Sequence, residues 1–315
     1  MTTRVLIVDP LTLLGRELTR CIEDSPDLVF DIDYRHTSGD DEHQIAELGA
    51  VPALVPTLDG ADDTGDAGIV VVTSDPGGDR AGFLEDMAHR RSDLTLIDVA
   101  RLPELADVTR PAVAATATSG DGLHLRVAHP ALVVARSLIT ALEPLGPTRG
   151  HVAAVDPVSI YGREALDALV HQAARRLQGG DPEQSIGGQV LAFNQVSVES
   201  DQLTEDAAVL VSTVPLAVTR TLSGCFHGHV VHLAIELAEP IDDPELRDAL
   251  DACGDVIVAD PPFSLDAVPD RDHIFVSQPQ LSPDRRIAAV TAMVDGLRLG
   301  GALTAVEILR ALTVH

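Results

Sequence analysis

Short apolar runs alternate with amphipathic segments along the first third of the chain. Arg4–Val8 is an apolar run typical of a buried strand, and Leu11–Ile22, which follows it, has the spacing of a helix with one apolar face. Alternation of this kind is typical of a parallel sheet covered by helices on both faces. The same pattern predicts further strands at Val29–Tyr34, Ile69–Thr73 and Leu94–Val99 and a helix at Asp79–Arg91.

The pattern changes after the loop Thr118–Gly122, which marks a predicted domain edge. Strand-like runs then follow one another with few helices between them, as in a mostly antiparallel or mixed sheet of the α+β type. Helices are predicted at Arg163–Gln178, at Gly300–Leu312, which closes the chain, and within residues 124–145. The strands predicted in this part are His151–Val155, Val230–Leu237, Val256–Ala259, Ile274–Gln278 and Arg286–Met293.

Composition excludes several classes of binding partner and of chemistry, and it adds little to the fold prediction. The formal net charge is −27, and all 22 basic residues are arginines. Such a charge repels phosphate backbones and anionic lipids, so neither nucleic acid nor membrane partners are expected. The absence of lysine excludes Schiff-base catalysis and a P-loop lysine. Residues 37–66 carry a cluster of acidic residues and are predicted to form an acidic surface excursion.

The cysteines indicate the compartment. Cys21, Cys225 and Cys253 are widely spaced and form no CxxC pair, which is typical of a reducing cytoplasm rather than a disulfide framework. Residues 1–20 contain no apolar run of the length of a signal peptide. No stretch approaches the roughly 20 apolar residues that span a bilayer. A cytoplasmic protein is therefore expected.

Residues 124–145, HLRVAHPALVVARSLITALEPL, predict a strand, a proline-marked turn and a helix. The segment resembles the strand, turn and helix of aspartate-semialdehyde dehydrogenases, in which Asn-Pro-Asn-Cys-Ser-Thr places a nucleophilic cysteine at the helix start. Aligned on Pro130, the cysteine position is Leu132; aligned on the helix end, it is Val133. Neither side chain has a nucleophilic atom. The chain is therefore expected to be a non-catalytic relative.

The first strand-to-helix turn, Val8–Gly15, lies where this family keeps three glycines around the cofactor diphosphate. Only Gly15 remains, because Asp9 and Thr12 replace the first two and Pro10 removes a backbone donor. A carboxylate at position 9 would face the diphosphate with like charge. Gly15 and Thr12 are thus weak cofactor-binding candidates, and an ordinary turn without nucleotide is the favoured interpretation.

A second loop, Tyr34–Gly39, resembles the family's Ser/Arg-rich loop that holds the 2′-phosphate of NADP. Arg35 could form a bidentate pair with a phosphate, with Ser38 beside it. The favoured alternative is an exposed loop that begins the acidic segment. No bound cofactor is expected, and NADP is the cofactor that the resemblance implies if the chain is an enzyme.

Residues 152–166 align with a family strand and loop in which a glutamine orients the acyl intermediate. Val158, Ser159 and Gly162 match, and the glutamine is replaced by Asp156. Asp156 could act as a base, but capping of the turn before Pro157 is the favoured role.

The segment Phe226-His227-Gly228-His229 resembles the family's Phe-Arg-Gly-His and has the same distance to a proline, Pro240. The resemblance makes His229 the general base, here interpreted as a relic or a structural histidine. The family's substrate arginine position is Leu222, and Arg220, two residues earlier, is a weak substitute. A zinc site of Cys225, His227 and His229 on one strand face is a less favoured alternative, so no metal site is predicted.

The resemblance spans nearly the whole chain, and its departures fall on the nucleophile, the phosphate loop, the substrate arginine and the nicotinamide contacts. One of these is Gly296, which replaces an asparagine. In this loss of catalytic residues on a retained scaffold, the chain resembles the Usg-type paralogues of aspartate-semialdehyde dehydrogenase, which also lack the cysteine. It implies a Rossmann-like domain at 1–124 plus 296–315 and an inserted α+β dimerisation domain at 125–295.

Three hypotheses follow. The leading one is a cytoplasmic, homodimeric pseudoenzyme that acts as a partner or scaffold, with a mixed dimer with an active paralogue as one version. The second is an NADP-dependent oxidoreductase of amino-acid biosynthesis with reassigned residues, in which Asp156 and His229 are the candidates. The third is a metabolite-binding sensor that uses the former active site without redox chemistry.

Overall fold

The computed structural model describes residues 3–37, 43–48, 51–58, 60–74, 81–91, 93–117, 122–260, 263–265 and 271–313. The chain divides into two compact units, Met1–Ala128 with Gly300–His315 and His129–Leu299. No helix in the described ranges is both long and apolar enough to cross a membrane.

The elements are numbered in chain order. The helices are α1 Leu13–Glu23, α2 Ala81–Arg90, α3 Pro130–Leu142, α4 Gly162–Leu177, α5 Asp201–Leu210, α6 Asp243–Asp251 and α7 Leu303–Thr313. The first eight strands are β1 Thr3–Val8, β2 Phe30–Arg35, β3 His43–Leu48, β4 Val51–Pro56, β5 Ile69–Val72, β6 Thr95–Asp98, β7 Arg110–Ala112 and β8 His124–Val127. The remaining strands are β9 Pro147–Asp156, β10 Gln195–Val198, β11 Leu216–Ser223, β12 His229–Leu237, β13 Val256–Ala259, β14 Ile274–Ser277, β15 Gln280–Leu281 and β16 Ile287–Val294.

The first unit is built on a six-stranded sheet in the order β2-β1-β5-β6-β8-β7. Every pairing in it is parallel, which confirms the predicted Rossmann-like sheet. The central strands β1 and β5 contain continuous aliphatic runs and are buried on both faces, as in a parallel sheet covered by helices. One face buries Val5, Ile7 and Val71 and the other buries Leu6, Val8 and Val70.

The acidic segment 37–66 is more regular than the sequence predicted. β3 and β4 pair in antiparallel register, from His43 opposite Pro56 to Leu48 opposite Val51. The apolar stretches between the acidic residues are long enough to pair two backbones, and a prediction based on charge alone overlooks that.

The second unit contains an eight-stranded mixed sheet in the order β10-β11-β9-β12-β16-β14-β13, with β15 paired to β16. β12 is antiparallel to both β9 and β16, whereas β11 and β9 are parallel, so the predicted mixed sheet is confirmed. Alternate residues such as Val152, Val231 and Leu233 are buried on the face that α3 covers.

Candidate functional site

A buried carboxylate collects three basic side chains in the second unit. Asp156 ends β9, and its side chain is fully buried. Arg220 of β11 donates from Nε to Asp156 Oδ2 over 2.6 Å, and His129 Nε2 lies 3.2 Å from the same oxygen. His229 Nε2 lies 3.7 Å from Oδ1. We call these four residues the Asp156 cluster.

Sheet register brings this cluster together. Parallel pairing of β11 with β9 places Arg220 opposite Ala154. Asp156 is two residues further along β9, so its side chain lies on the same face of the sheet as those of Ala154 and Arg220. Antiparallel pairing sets Val230 opposite Val155, so His229 begins β12 beside the end of β9. The three strand residues are far apart in sequence, and only the order of the sheet makes them neighbours.

His129 joins the cluster from the start of α3. Pro130 occupies the first helical position, which suits its missing N–H. His129 is the N-cap, and its Nδ1 accepts a hydrogen bond of 3.2 Å from the backbone N–H of Ala131. An imidazole whose Nδ1 accepts carries its proton on Nε2. His129 therefore caps the helix with one nitrogen and donates to Asp156 with the other.

His229 fits only because position 296 has no side chain. A Cβ at Gly296 would lie 2.1 Å from Cε1 and Nδ1 of His229 and 3.0 Å from Pro130 Cγ. The imidazole is buried and meets the His129 ring edge to face, with 5.6 Å between ring centroids. Gly296 thus provides the space that the His229 ring occupies.

The electrostatics of the cluster favour an ionised carboxylate. Burial opposes the charge of Asp156, but His129, His229 and Arg220 outweigh burial and hold the pKa of Asp156 well below its usual range. A carboxylate with so low a pKa is a weak base, so its place is to orient the imidazoles. It does not cap the turn before Pro157 as predicted, because its hydrogen bonds go to His129 and Arg220.

The ligand geometry invites comparison with a metal centre. One ligand atom each from His129, Asp156 and His229 lies within 4.8 Å of the others, and all three residues are buried. Asp156 Oδ1 also accepts no hydrogen bond from the described residues. However, His129 Nε2 carries its proton, and Arg220 already balances the single negative charge. A divalent cation would add uncompensated charge to a buried site, so the arrangement favours a hydrogen-bonded ion cluster.

The less favoured zinc alternative of Cys225, His227 and His229 does not have the geometry that it assumed. β12 begins at His229, so Cys225 and His227 lie in the preceding turn, where both are exposed. The three residues do not share a strand face, because the strand that would align them starts only at the last one.

The helix start offers no sulfur. Leu132 is fully buried and Val133 nearly so, both in the first turn of α3. Cys21 is buried in the core of the first unit, Cys225 is exposed and Cys253 is half-buried. Among the described residues, no cysteine sulfur belongs to the Asp156 cluster.

Arg220 is held by the cluster but keeps part of its binding capacity. Its side chain is 27% exposed, and within the described ranges its only hydrogen bond runs from Nε to Asp156. The two Nη groups therefore remain able to hold an anion, and its assignment as a substrate contact stays a prediction.

The predicted cofactor residues have local partners. Thr12 caps α1 by accepting a hydrogen bond from the N–H of Gly15, and a Cβ at Gly15 would lie 2.4 Å from Asp9 O. Arg35 donates to Asp33 Oδ1 over 2.7 Å and to Tyr34 O over 2.9 Å, so it folds back on its own strand. Ser38 lies outside the described residues. Thr12 and Gly15 thus maintain a tight turn.

The dinucleotide that this fold implies does not fit the first unit. The buried Asp9 carboxylate accepts a hydrogen bond of 2.7 Å from the N–H of Thr37 and bonds of 2.6 Å from the hydroxyls of Thr37 and Ser74. It lies beyond the carboxyl end of β1, where such folds bind the cofactor diphosphate. Two negative groups would meet there, so the residues present do not suit NADP.

His129 is the functional residue that sequence reasoning missed. Its only local signal is its place directly before Pro130 at a predicted helix start. That place is the N-cap, which usually holds Ser, Thr, Asp or Asn. A histidine there is unusual enough to have been singled out.

These features define a two-unit α/β protein with the fold of semialdehyde dehydrogenases. No family model matches the sequence. A curated relative, aspartate-semialdehyde dehydrogenase 2 of Vibrio cholerae, is 24% identical over a 197-residue alignment that covers 54% of this chain and 57% of that protein. The chain therefore matches little more than half the length of this relative.

Solved structures share the fold over nearly the full length. Aspartate semialdehyde dehydrogenase II of Vibrio cholerae, complexed with ASA, has a TM-score of 0.79 at 16% identity, with 99% of this chain and 98% of that chain covered. A probable aspartate-semialdehyde dehydrogenase from Pseudomonas aeruginosa has a TM-score of 0.82 at 20% identity, with 100% and 99% covered. At such low identity the likeness establishes the fold.

Proposed function

We propose that this chain is a member of the aspartate-semialdehyde dehydrogenase family that has lost the covalent reaction and acts in the cytoplasm as a dimeric partner or scaffold. The observation that carries the proposal is the start of α3, where Leu132 and Val133 are buried aliphatic residues. An acyl-enzyme intermediate requires a nucleophilic atom at this position. On the same grounds we propose that the chain belongs with the Usg-type paralogues, which also lack the cysteine.

The Asp156 cluster supports a structural role. The charge of Asp156 is balanced by Arg220, and the proton of His129 is committed to the carboxylate. A cluster whose charges balance internally holds strand ends and a helix start together without a ligand. His229 then orders this arrangement, with no thiol available from which to accept a proton.

A titration of the purified protein tests this proposal. Calorimetry with NADP and NADPH should show no binding at micromolar concentrations, and Leu132→Cys and Val133→Cys should each leave aldehyde oxidation undetectable. The matched control is Ala135→Cys, at another buried position less than one turn further along the same helix. The hypothesis of an NADP-dependent oxidoreductase would be favoured again by micromolar NADPH binding, or by turnover in Leu132→Cys or Val133→Cys but not in Ala135→Cys. The retained His229 is the observation that favours this hypothesis.

The partner surface proposed is the uncovered face of the eight-stranded sheet. Apart from one ion pair, its outward residues on β9, β11, β12 and β16 are apolar or carry hydroxyl or imidazole groups, for example Ala217, His232 and Ala289. Glu236 is the single carboxylate among the outward residues of these four strands, and Arg149 pairs with it. Because the net charge is −27, two copies repel unless their contact surface is poor in acidic groups. A second copy of this chain is therefore the proposed occupant.

Size-exclusion chromatography with light scattering tests this surface. The chain should elute as a dimer, and His232→Glu and Ala289→Glu should each produce monomer, because they place charge at the centre of the contact. Val29→Glu, at a position 74% exposed in the first unit, is the matched control and should remain dimeric. A monomeric parent protein, or a dimer unaffected by both substitutions, would contradict the assignment.

A further inference from the structure

A carboxylate occupies the place in the first unit where parallel sheets bind anionic ligands. In the strand order β2-β1-β5, the next two strands of this sheet along the chain, β2 and β5, lie on opposite sides of β1. The chain connections therefore run in opposite directions from the carboxyl end of β1. Ligands of open α/β sheets bind beyond the carboxyl ends of the strands at such a point. Asp9 follows β1 directly, and its residue is only 8% exposed.

The groups around this carboxylate form a set of neutral donors. The N–H of Thr37 donates to Oδ1 over 2.7 Å, and the hydroxyls of Thr37 and Ser74 each donate to Oδ2 over 2.6 Å. Thr37 lies beyond β2 and Ser74 beyond β5, so the donors come from the two strands that flank β1. Backbone amides and hydroxyls that converge in this way also bind phosphate oxygens.

The backbone of Asp9 is fixed so that its side chain reaches these donors. Asp9 has φ of +60°, in the left-handed region that asparagine, aspartate and glycine tolerate best. Its N–H donates to Arg35 O over 2.8 Å, and its carbonyl accepts from the hydroxyls of Thr73 and Thr12 over 2.8 and 3.0 Å. The main chain and the carboxylate are thus both tied to neighbouring strands.

We propose that Asp9 is a built-in occupant of a latent binding site for phosphate groups, and that its carboxylate keeps diphosphates out of the first unit. The donors of Thr37 and Ser74 are satisfied by the protein's own anion. An incoming phosphate would have to displace that anion or lie against it. Removal of the Asp9 charge leaves the same donors directed at an empty position and converts the site into one that accepts inorganic pyrophosphate. This inference concerns the first unit and does not depend on the proposed function.

Two substitutions separate charge from space. Asp9→Gly removes the carboxylate and suits the positive φ, whereas Asp9→Asn removes the charge, suits the same φ and keeps the side chain in place. Asp66→Asn is the control, because it removes one negative charge from a side chain that is 79% exposed in the same unit and ion-paired with Arg4. All three variants are compared with the parent protein.

Calorimetry with inorganic pyrophosphate in metal-free buffer gives the answer. Asp9→Gly should bind at least tenfold more tightly than the parent protein, Asp9→Asn should be intermediate, and Asp66→Asn should match the parent. Thermal unfolding with and without pyrophosphate reports on a weakened variant, because a ligand of the folded state raises Tm by mass action. The proposal would be overturned if the parent and Asp9→Gly bound pyrophosphate with equal affinity, or if pyrophosphate raised the Tm of neither Asp9 variant. Either result would leave the conclusion about Leu132 and Val133 unchanged.

Discussion

Asp156 and Asp98 are both fully buried carboxylates at the last residue of a strand, yet their pKa values are shifted in opposite directions. Burial disfavours the charge of Asp156, but His129, His229 and Arg220 outweigh it and hold its pKa well below the usual range. Asp98, at the end of β6, has its pKa raised to about 7 by burial. Its hydrogen-bond donors are the backbone N–H groups of Arg101 and Leu102, at 2.7 and 2.8 Å, and they compensate only in part.

The difference lies in the partners, since the degree of burial is the same. A guanidinium and two imidazoles lie within hydrogen-bonding or ion-pair distance of Asp156 and outweigh its burial. Asp98 is hydrogen-bonded only by two backbone amides, and the charges of Arg101 and Arg126 add too little to offset its burial. The Asp156 cluster is therefore an ionic junction that needs all its members. Asp98 is a capping group that can be protonated near neutral pH.

The largest expected effect comes from removing the charge of Asp156. Asp156→Asn leaves the guanidinium of Arg220 without its counter-ion in a site that is mostly buried. Breaking a buried pair from one side costs about 3–5 kcal/mol, so the free energy of unfolding should fall by that amount. Urea titrations at neutral pH and one fixed protein concentration measure it.

The control for this experiment is an ion pair on the surface of the same unit. Asp251→Asn breaks the pair with Arg247 on α6, in which both side chains are about half exposed. Solvent screens such pairs, so no resolvable loss is expected. Equal losses in Asp156→Asn and Asp251→Asn would show that the Asp156 cluster contributes nothing beyond a surface pair.

Asp98 should make stability depend on pH in the opposite direction to a salt-bridged acid. Its pKa is about 7 in the folded chain, whereas an ordinary aspartate has a pKa of 3.8, so between these pH values the folded state holds a proton that the unfolded state has lost. Its contribution to stability is complete below about pH 4 and is lost as the pH rises to about 7. By linkage, this residue should lower the free energy of unfolding by about 3 kcal/mol between pH 5 and pH 8.

Asp98→Asn should flatten that slope, although it also weakens one backbone hydrogen bond at every pH. The measurement is the difference between the variant and the parent protein in urea titrations at pH 5, 6, 7 and 8. Asp251→Asn should keep the parent slope. A pH slope unchanged by Asp98→Asn would mean that Asp98 stays ionised throughout the range.

The sequence predicted the architecture because aliphatic strands and amphipathic helices carry their own periodicity. The parallel sheet of the first unit and the mixed sheet of the second follow from that pattern. The site was predicted one residue at a time, from family positions, as Asp156, Arg220 and His229. Their convergence could not be predicted, because it depends on which strands flank β9. The β3–β4 hairpin was missed for a related reason, since acidic residues hid its pairing strands.

Two local features explain where residue-by-residue reasoning failed. His129 has the role of an N-cap, and a histidine directly before Pro130 is a rare signal, but that position alone does not show that its second ring nitrogen reaches Asp156. Asp9 was recognised as a replaced glycine that repels phosphate. Its hydrogen bonds to Thr37 and Ser74 became visible only once β2 and β5 were placed beside β1.

The smallest of the expected effects tests how the Asp156 cluster keeps its second imidazole. Gly296→Ala would place a Cβ 2.1 Å from the His229 ring, which has to move away from Asp156 to make room. Overpacking of this kind costs about 1–3 kcal/mol, and the cost should largely disappear in a His229→Ala background because the obstructing ring is gone. Gly254→Ala is the control, since a Cβ there meets nothing within 4 Å. Urea titrations of the two single variants and the double variant give the coupling energy. If Gly296→Ala lowers the free energy of unfolding equally in the parent and in the His229→Ala background, the glycine is required by the turn and not by the His229 ring. A large coupling would instead make Gly296 part of the Asp156 cluster, as the residue whose missing side chain keeps His229 beside the carboxylate.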